Sequence, residues 1–459
     1  MQSNMSSKAQ FSTKIGLIAA TVGSAVGLGS VWRFPSEVQA NGGAAFLLIY
    51  IACVFLLGIP VMLAEFSIGR GGGSDAVGSF RNLAPGKKWW FAGALAILTS
   101  YLILCYYMVV AGWTFEYMWQ SITGHLYQPI ENVDGYSSQF SVRMQEYVSD
   151  DINPLIHTFI VIGINLGILL FGVQKGIERI SNILMPMLFV LLLAFCFVSL
   201  SLPKADEGLK FFLNPDFSAI TPSVVIRALG QAFFSLSLGM GVLITYASYF
   251  PKDTRLIKTS FTVSSSVIFV AFMMGVIIFP AVTSFGLQNA ALNGPTLVFA
   301  TLPEVFAQLP YSQVWSALFF LFLTVAAITS TISIAEVSIA FMQDRCKMSR
   351  KAACLVVLLP LFVLSTACSL AQGSWADITL FGMNIFDLLD YLTANIMLPI
   401  GSILLCLYVG WFAPKKFLNN ELTNYGAITA RTFQIVVFII RFIAPVLIAS
   451  ILISSFLND

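Results

Sequence analysis

The residues able to do chemistry in this chain are few, and they sit where an apolar protein tolerates them least. Gly, Ser and Thr interrupt two hydrophobic stretches, GSAVGLGSVWRFP (Gly23–Pro35) and QAFFSLSLGMGVLITYASY (Gln231–Tyr249), and Thr329 stands beside Ser330 in a third. Glycine lets a helical backbone leave its ladder, which frees carbonyls and amides. In lipid such groups cost several kcal/mol each unless they line a cavity and bind something. Freed carbonyls and hydroxyls suit a small hard cation, and half-helix N-termini suit an anion. A sodium ion with a zwitterionic amino acid meets both demands. The plainer readings are close packing through small residues and hydroxyls bonding back one turn. Two matched interruptions favour binding.

Other chemistries lack their residues. No nucleophile, base and orienting group recur near one another, and no phosphate loop is present. His125 and His157 are isolated, and no Cys/His cluster has metal-ligand spacing. All seven cysteines fall in apolar spans or in the loops of one face, so no disulfides are expected.

The elements that must hold these groups are membrane helices. Of 459 residues, 58% are hydrophobic and 10% charged, too apolar for a large soluble enzyme, and the apolar runs are continuous rather than alternating. About eleven spans are expected, near 14–38, 44–69, 88–121, 155–174, 180–203, 222–249, 256–286, 312–343, 350–371, 383–412 and 435–457. The first lacks a cleavage site and reads as a retained helix. Lys8, Lys14, Arg70, Arg81, Lys87, Lys88, Lys175, Arg179, Lys252, Arg255, Lys258, Arg345, Lys347, Arg350, Lys351, Lys415 and Lys416 share one side, which is therefore cytoplasmic. The opposite loops carry few basic residues, and the loop near 122–154 is acidic, with Glu131, Asp134, Glu146, Asp150 and Asp151. An inner (plasma) membrane protein follows, N-terminus inside and C-terminus outside. Its net charge of +2 reports topology and not a nucleic-acid partner.

Spans 1 and 6 occupy corresponding places in two five-helix halves, the sequence mark of an inverted-repeat transporter with its site at the midplane. The expected divisions are a cytoplasmic segment 1–13, a first repeat 14–203, a second repeat 204–412, and a cytoplasmic loop with span 11 over 413–459.

Together GSAVGLGSVWRFP, NGGAAFLLIY, GIPVMLAEFSIGR, CYYMVVAGW, KGIERISNILMP, FFSLSLGMG with TYASY, and AITSTISIAEVSIAF resemble the neurotransmitter:sodium symporter family over nearly the whole chain. The eleven spans resemble its bacterial members, and the matched broken helices are a known feature of this family. The resemblance implies an all-α fold of 5+5 inverted repeats with helices 1 and 6 unwound. It implies one sodium site from the carbonyls of Gly23, Val26 and Ala326 and the hydroxyls of Thr329 and Ser330. The family's second ion site maps to Ala25, Ser30, Ser235 and Val267. Valine offers no oxygen and Ser30 is shorter than the family's asparagine, so this site reads as degraded. The positions matching the family's chloride or charge-balancing site are Tyr50, Gln231, Ser235 and Ala271, and alanine cannot coordinate an anion. Chloride-independent transport with one Na⁺ is expected.

Where amine-transporting relatives carry an aspartate this chain has Gly27, so the substrate brings its own carboxylate. The resemblance puts its amino group on the carbonyls of Ala25 and Phe234 and the Ser237 hydroxyl. Its carboxylate falls to amides near Gly29 and the Tyr107 hydroxyl. Ile103, Phe234, Met240 and Ile334 line the side-chain pocket, with Ser330 at its edge, and no charge among them, so a neutral, hydrophobic amino acid is expected. Arg33 and Asp390 resemble the external gate above Tyr107 and Phe234, with Asp387 an alternative. Lys8 and Asp344, with Phe11, Ser248 and Tyr249, resemble the cytoplasmic gate, where a lysine cannot make the bidentate pair of the usual arginine. Glu65 and Glu336 are expected to brace unwound backbone, with proton coupling as the other possibility. A monomer or weak homo-oligomer is expected. A non-transporting amino-acid sensor is the alternative, and an enzyme is not expected.

Overall fold

The computed structural model describes residues 10–130, 138–287, 294–414, 416–429 and 433–457; Lys8, Glu131, Asp134 and Lys415 lie outside them. Among the described residues nine helices are long and apolar enough to cross a bilayer, and the pair Lys14–Ala25 and Gly29–Ala40, bent by 57°, makes a tenth crossing. The sixth expected span is Pro222–Ser235 followed by Val242–Ala247, two pieces each too short to cross alone. Among the described residues the order of elements is thus that of a helical membrane protein with ten candidate crossings, the first of them bent, and a sixth expected span broken in two.

Span boundaries lie within about four residues of those read from hydropathy, except in the fifth. That helix runs Val173–Leu200, starting seven residues before the expected 180. The run containing Lys175 reads as a basic loop, yet Val173–Glu178 is a wide π-type turn that opens the helix. Glu178 explains it, since its carboxylate accepts hydrogen bonds from the amides and hydroxyls of Ser12 and Thr13 at 2.8–3.0 Å, which ties the start of span 5 to the start of span 1.

Burial sorts the spans into an inner and an outer set. Ser312–Asp344 (span 8) is 78% buried along its most apolar stretch, against 28% for Phe433–Phe456 (span 11), so the former is core and the latter faces lipid. Between spans 2 and 3 lies the short helix Ala76–Leu83, started by Asp75, whose carboxylate accepts from the Gly78 N–H at 3.0 Å. Ahead of span 10, Thr379–Leu380 pairs antiparallel with Met383–Asn384.

Candidate functional site

Span 1 stops being a helix at Ala25. The Gly27 amide turns to the Ala25 carbonyl at 3.1 Å instead of continuing the ladder to Gly23, and the Leu28 amide is taken by the Tyr107 hydroxyl of span 3 at 3.1 Å. Span 6 breaks through three left-handed residues, Ser237 (φ 54°), Gly239 (φ 84°) and Gly241 (φ 76°). Serine at such a φ is held in place because its hydroxyl donates to the Ser24 carbonyl at 3.1 Å, which joins the two breaks. On the other flank, the buried Glu65 of span 2 accepts from the Gly239 amide at 2.7 Å.

Close approach accounts for two of the glycines. A Cβ on Gly29 would lie 2.4 Å from the Phe234 ring, and one on Gly27 would lie 2.7 Å from Ser330 Oγ and 2.9 Å from the Tyr107 hydroxyl. An aspartate at position 27 therefore has no room here. Ala25, Gly29, Ile103, Tyr107, Phe234, Ser235, Ser237, Met240, Ser330 and Ile334, all ten of the residues read as substrate-binding, line one cavity together with Ser24 and Gly27. It lies halfway along spans 3 and 8, and no lining side chain is charged.

Beside it the five sodium-type residues are buried, and Gly23 meets the span 8 residue Thr329, since a Cβ there would be 3.4 Å from Thr329 Cβ and 3.1 Å from Met185 Sδ of span 5. The Thr329 hydroxyl donates to the carbonyls of Val325 and Ala326 at 3.1 and 3.0 Å, the plainer role weighed for it, while its lone pairs stay available to a cation. At the second ion position Ser30 Oγ is buried with no hydrogen-bond partner among the described residues, and Val267 is fully buried. Ser266, one position before Val267, is half-buried and donates its hydroxyl to the Thr262 carbonyl at 2.9 Å. Gln231 donates to the Gly29 carbonyl and to Ser235 Oγ, both at 3.0 Å, and Ala271 of span 7 is fully buried.

Two expected contacts turn out otherwise. Arg33 and Asp390 do not come within ion-pair distance. The Arg33 guanidinium lies 4.7 Å above the Phe234 ring and 4.0 Å from Glu37, while Asp390 is exposed. An aromatic face offers a cation an attraction that needs no carboxylate, so Arg33 roofs the cavity through Phe234. Asp387 serves its own helix start, accepting from the Asn384 side chain at 2.9 Å. Among the described residues Glu336 braces no unwound backbone; it is fully buried in a bidentate pair with Arg350 at 2.8 and 2.7 Å and accepts the Tyr249 hydroxyl at 2.8 Å. Of the residues expected at the cytoplasmic gate, Phe11 is buried against Tyr246, Tyr249 and Phe250. Asp344 accepts from the Asp75 amide at 2.8 Å and Ser74 Oγ at 3.0 Å. Lys8 lies outside the described residues. Sequence reasoning missed Ser24 as the tie between the breaks; its place one residue before Ala25 was the available signal.

The profile of the sodium:neurotransmitter symporter family matches residues 8–133 and 128–459. The sodium-dependent transporter YhdH of Bacillus subtilis (strain 168) is 34% identical over 440 residues, 96% of each chain. A sodium-dependent transporter of Haemophilus influenzae is 34% identical over 465 residues, covering 99% of this chain and all of its own. The crystal structure of MhsT in complex with L-phenylalanine superposes with a TM-score of 0.88 at 39% identity, over 98% of this chain and 100% of that one. Matches of this extent, on a membrane fold broken at both matched positions, make this chain a member of the sodium:neurotransmitter symporter family: a sodium-dependent transporter, not an enzyme.

Proposed function

We propose that the protein imports a neutral, hydrophobic L-amino acid together with Na⁺ by alternating access, the repeats 14–203 and 204–412 moving against each other around the central cavity. The observation that carries this is the cavity itself, walled by both helix breaks and free of charged side chains. A charged side chain would be buried there unpaired, at high cost. Met240, flexible and polarisable, lets the wall fit aliphatic or aromatic side chains. The Tyr107 hydroxyl accepts from Leu28 and so keeps its own hydrogen for the substrate carboxylate. The amine goes to the carbonyls at the span 1 and span 6 breaks. That MhsT is solved with L-phenylalanine bound supports the same class of substrate.

One Na⁺ is held by Gly23, Val26, Ala326, Thr329 and Ser330. The second position, Ala25, Ser30, Ser235 and Val267, is degraded and transport is chloride-independent, readings supported by the buried Val267 and Ala271. The N-terminus faces the cytoplasm, and the protein works as a monomer or weak homo-oligomer.

Uptake of radiolabelled amino acid into proteoliposomes under a sodium gradient tests the whole reading. Leucine, methionine and tryptophan should compete, and displacement by glutamate alone rejects the pocket. A Na⁺:substrate flux ratio of two rejects the single ion. Loss of uptake on replacing chloride rejects chloride independence, and binding without accumulation identifies a sensor.

A further inference from the structure

The loop between spans 2 and 3 carries a cationic and aromatic cluster that transport does not use. Arg81, Lys87 and Lys88 are exposed, and none has a carboxylate within 4.0 Å among the described residues. The Arg81 guanidinium stacks 5.3 Å above Trp90, the first residue of span 3. Trp90 is the ridge between two apolar grooves. One, of about 440 Å³, runs from Arg81 and Trp90 between spans 3, 8 and 9 to Tyr101 and Val357. The other, of about 770 Å³, has Lys87 and Lys88 at its rim and continues along span 10 past Phe412 and Tyr408 to Leu404. Both fall in the size range of ligand sites, roughly 300–1,000 Å³.

Depth and charge identify the occupant. From Trp90 to Tyr101 is eleven residues, about 16 Å at a 1.5 Å rise, half of a hydrocarbon core about 30 Å thick. A groove of that length, opening beside Trp residues at the interface, matches one leaflet's acyl chain. Two grooves on either side of one ridge take two chains. Three uncompensated cations at their common mouth call for a negative headgroup, since each basic residue near such a surface is worth roughly a fivefold gain in binding. We infer that Arg81, Lys87, Lys88 and Trp90 form a binding site for one two-chained anionic phospholipid, its chains straddling Trp90. The same loop begins at Asp75, whose amide is bonded to Asp344 at 2.8 Å, so the lipid sits on the segment that borders the cytoplasmic gate.

The test uses the full-length protein in mixed micelles of detergent with equal phosphatidylglycerol and phosphatidylcholine, and the retained lipid is counted by native mass spectrometry. Wild type should retain phosphatidylglycerol preferentially. Arg81→Gln/Lys87→Gln/Lys88→Gln should lower that preference at least roughly tenfold, with sodium-dependent amino-acid binding intact as the check on folding. Lys175→Gln/Arg179→Gln/Lys351→Gln removes the same charge elsewhere on this face and should leave the preference unchanged. Trp90→Ala should reduce retention of both lipids. Equal retention of the two lipids by wild type, an unaltered preference in the first triple variant, or an equal loss in the second overturns the site.

Discussion

Gly27→Ala puts one methyl group into the tightest point of the central cavity. The new Cβ would stand 2.7 Å from Ser330 Oγ and 2.9 Å from the Tyr107 hydroxyl, so at least one side chain must move. Tyr107 cannot move freely, because its hydroxyl holds the Leu28 amide at 3.1 Å. Overpacking of this kind costs about 1–3 kcal/mol, and where substrate binding requires the displaced Ser330 and Tyr107 side chains to return to place, that cost is roughly 5- to 150-fold in Kd. Equilibrium binding of a radiolabelled hydrophobic amino acid at saturating Na⁺ reads the loss. Gly163→Ala is the control: nothing lies within 4 Å of its Cβ in the helix Asn153–Leu170, so binding should stay the same and stability should rise by about 0.5–1 kcal/mol. In a Ser330→Ala background the atom at 2.7 Å is gone and the next on that residue, Cβ, is 3.6 Å away. The Gly27→Ala penalty should then shrink by at least about 0.5 kcal/mol. Binding within twofold of wild type, or an equal penalty in both backgrounds, refutes the geometry.

Three further outcomes follow from buried polar contacts. Glu65→Ala leaves the Gly239 amide buried without its acceptor and should lower stability by about 1–3 kcal/mol, while Glu65→Gln, which keeps an acceptor, should cost less; equal melting shifts for the two variants reject the brace. Glu336→Ala strands Arg350, only 16% exposed, and should cost roughly 3–5 kcal/mol, with the double replacement Glu336→Leu/Arg350→Met costing less than the single one in thermal unfolding. Burial, and then the charge of Asp344, hold the Asp75 carboxyl above the usual carboxylate range against the pull of the Gly78 amide, Arg345 and Ser74. A carboxyl with a raised folded pKa binds its proton more tightly when folded, so its contribution to stability falls as pH rises from its ordinary pKa through the folded one and is flat above. Asp75→Asn should remove that fall from melting curves taken upward from roughly pH 4, and an unchanged slope counts against it.

The apolar runs by themselves determined the number and order of crossings, because the length that spans a bilayer is a local property of the chain. They also marked both helix breaks, since a glycine among hydroxyls announces itself within a few residues. The ten cavity residues were legible as a motif, and the structure gathers all ten around one space. The fifth span was misjudged at its start because Lys175 reads as a loop residue, while the partner that holds that turn, the Ser12–Thr13 segment, is more than 160 residues away.

Only the tertiary structure decided which buried charge meets which partner. Glu65 and Glu336 look alike in sequence, each a carboxylate in an apolar helix, yet one receives a backbone amide from span 6 and the other the guanidinium of Arg350. Arg33 faces Phe234 and not Asp390, and Arg70 is met by Glu421 at 2.7 Å across 351 residues. Local pattern rules reach about one helical turn. Which face a helix turns to its neighbour is set by how the spans pack together, and these pairings depend on that rotation.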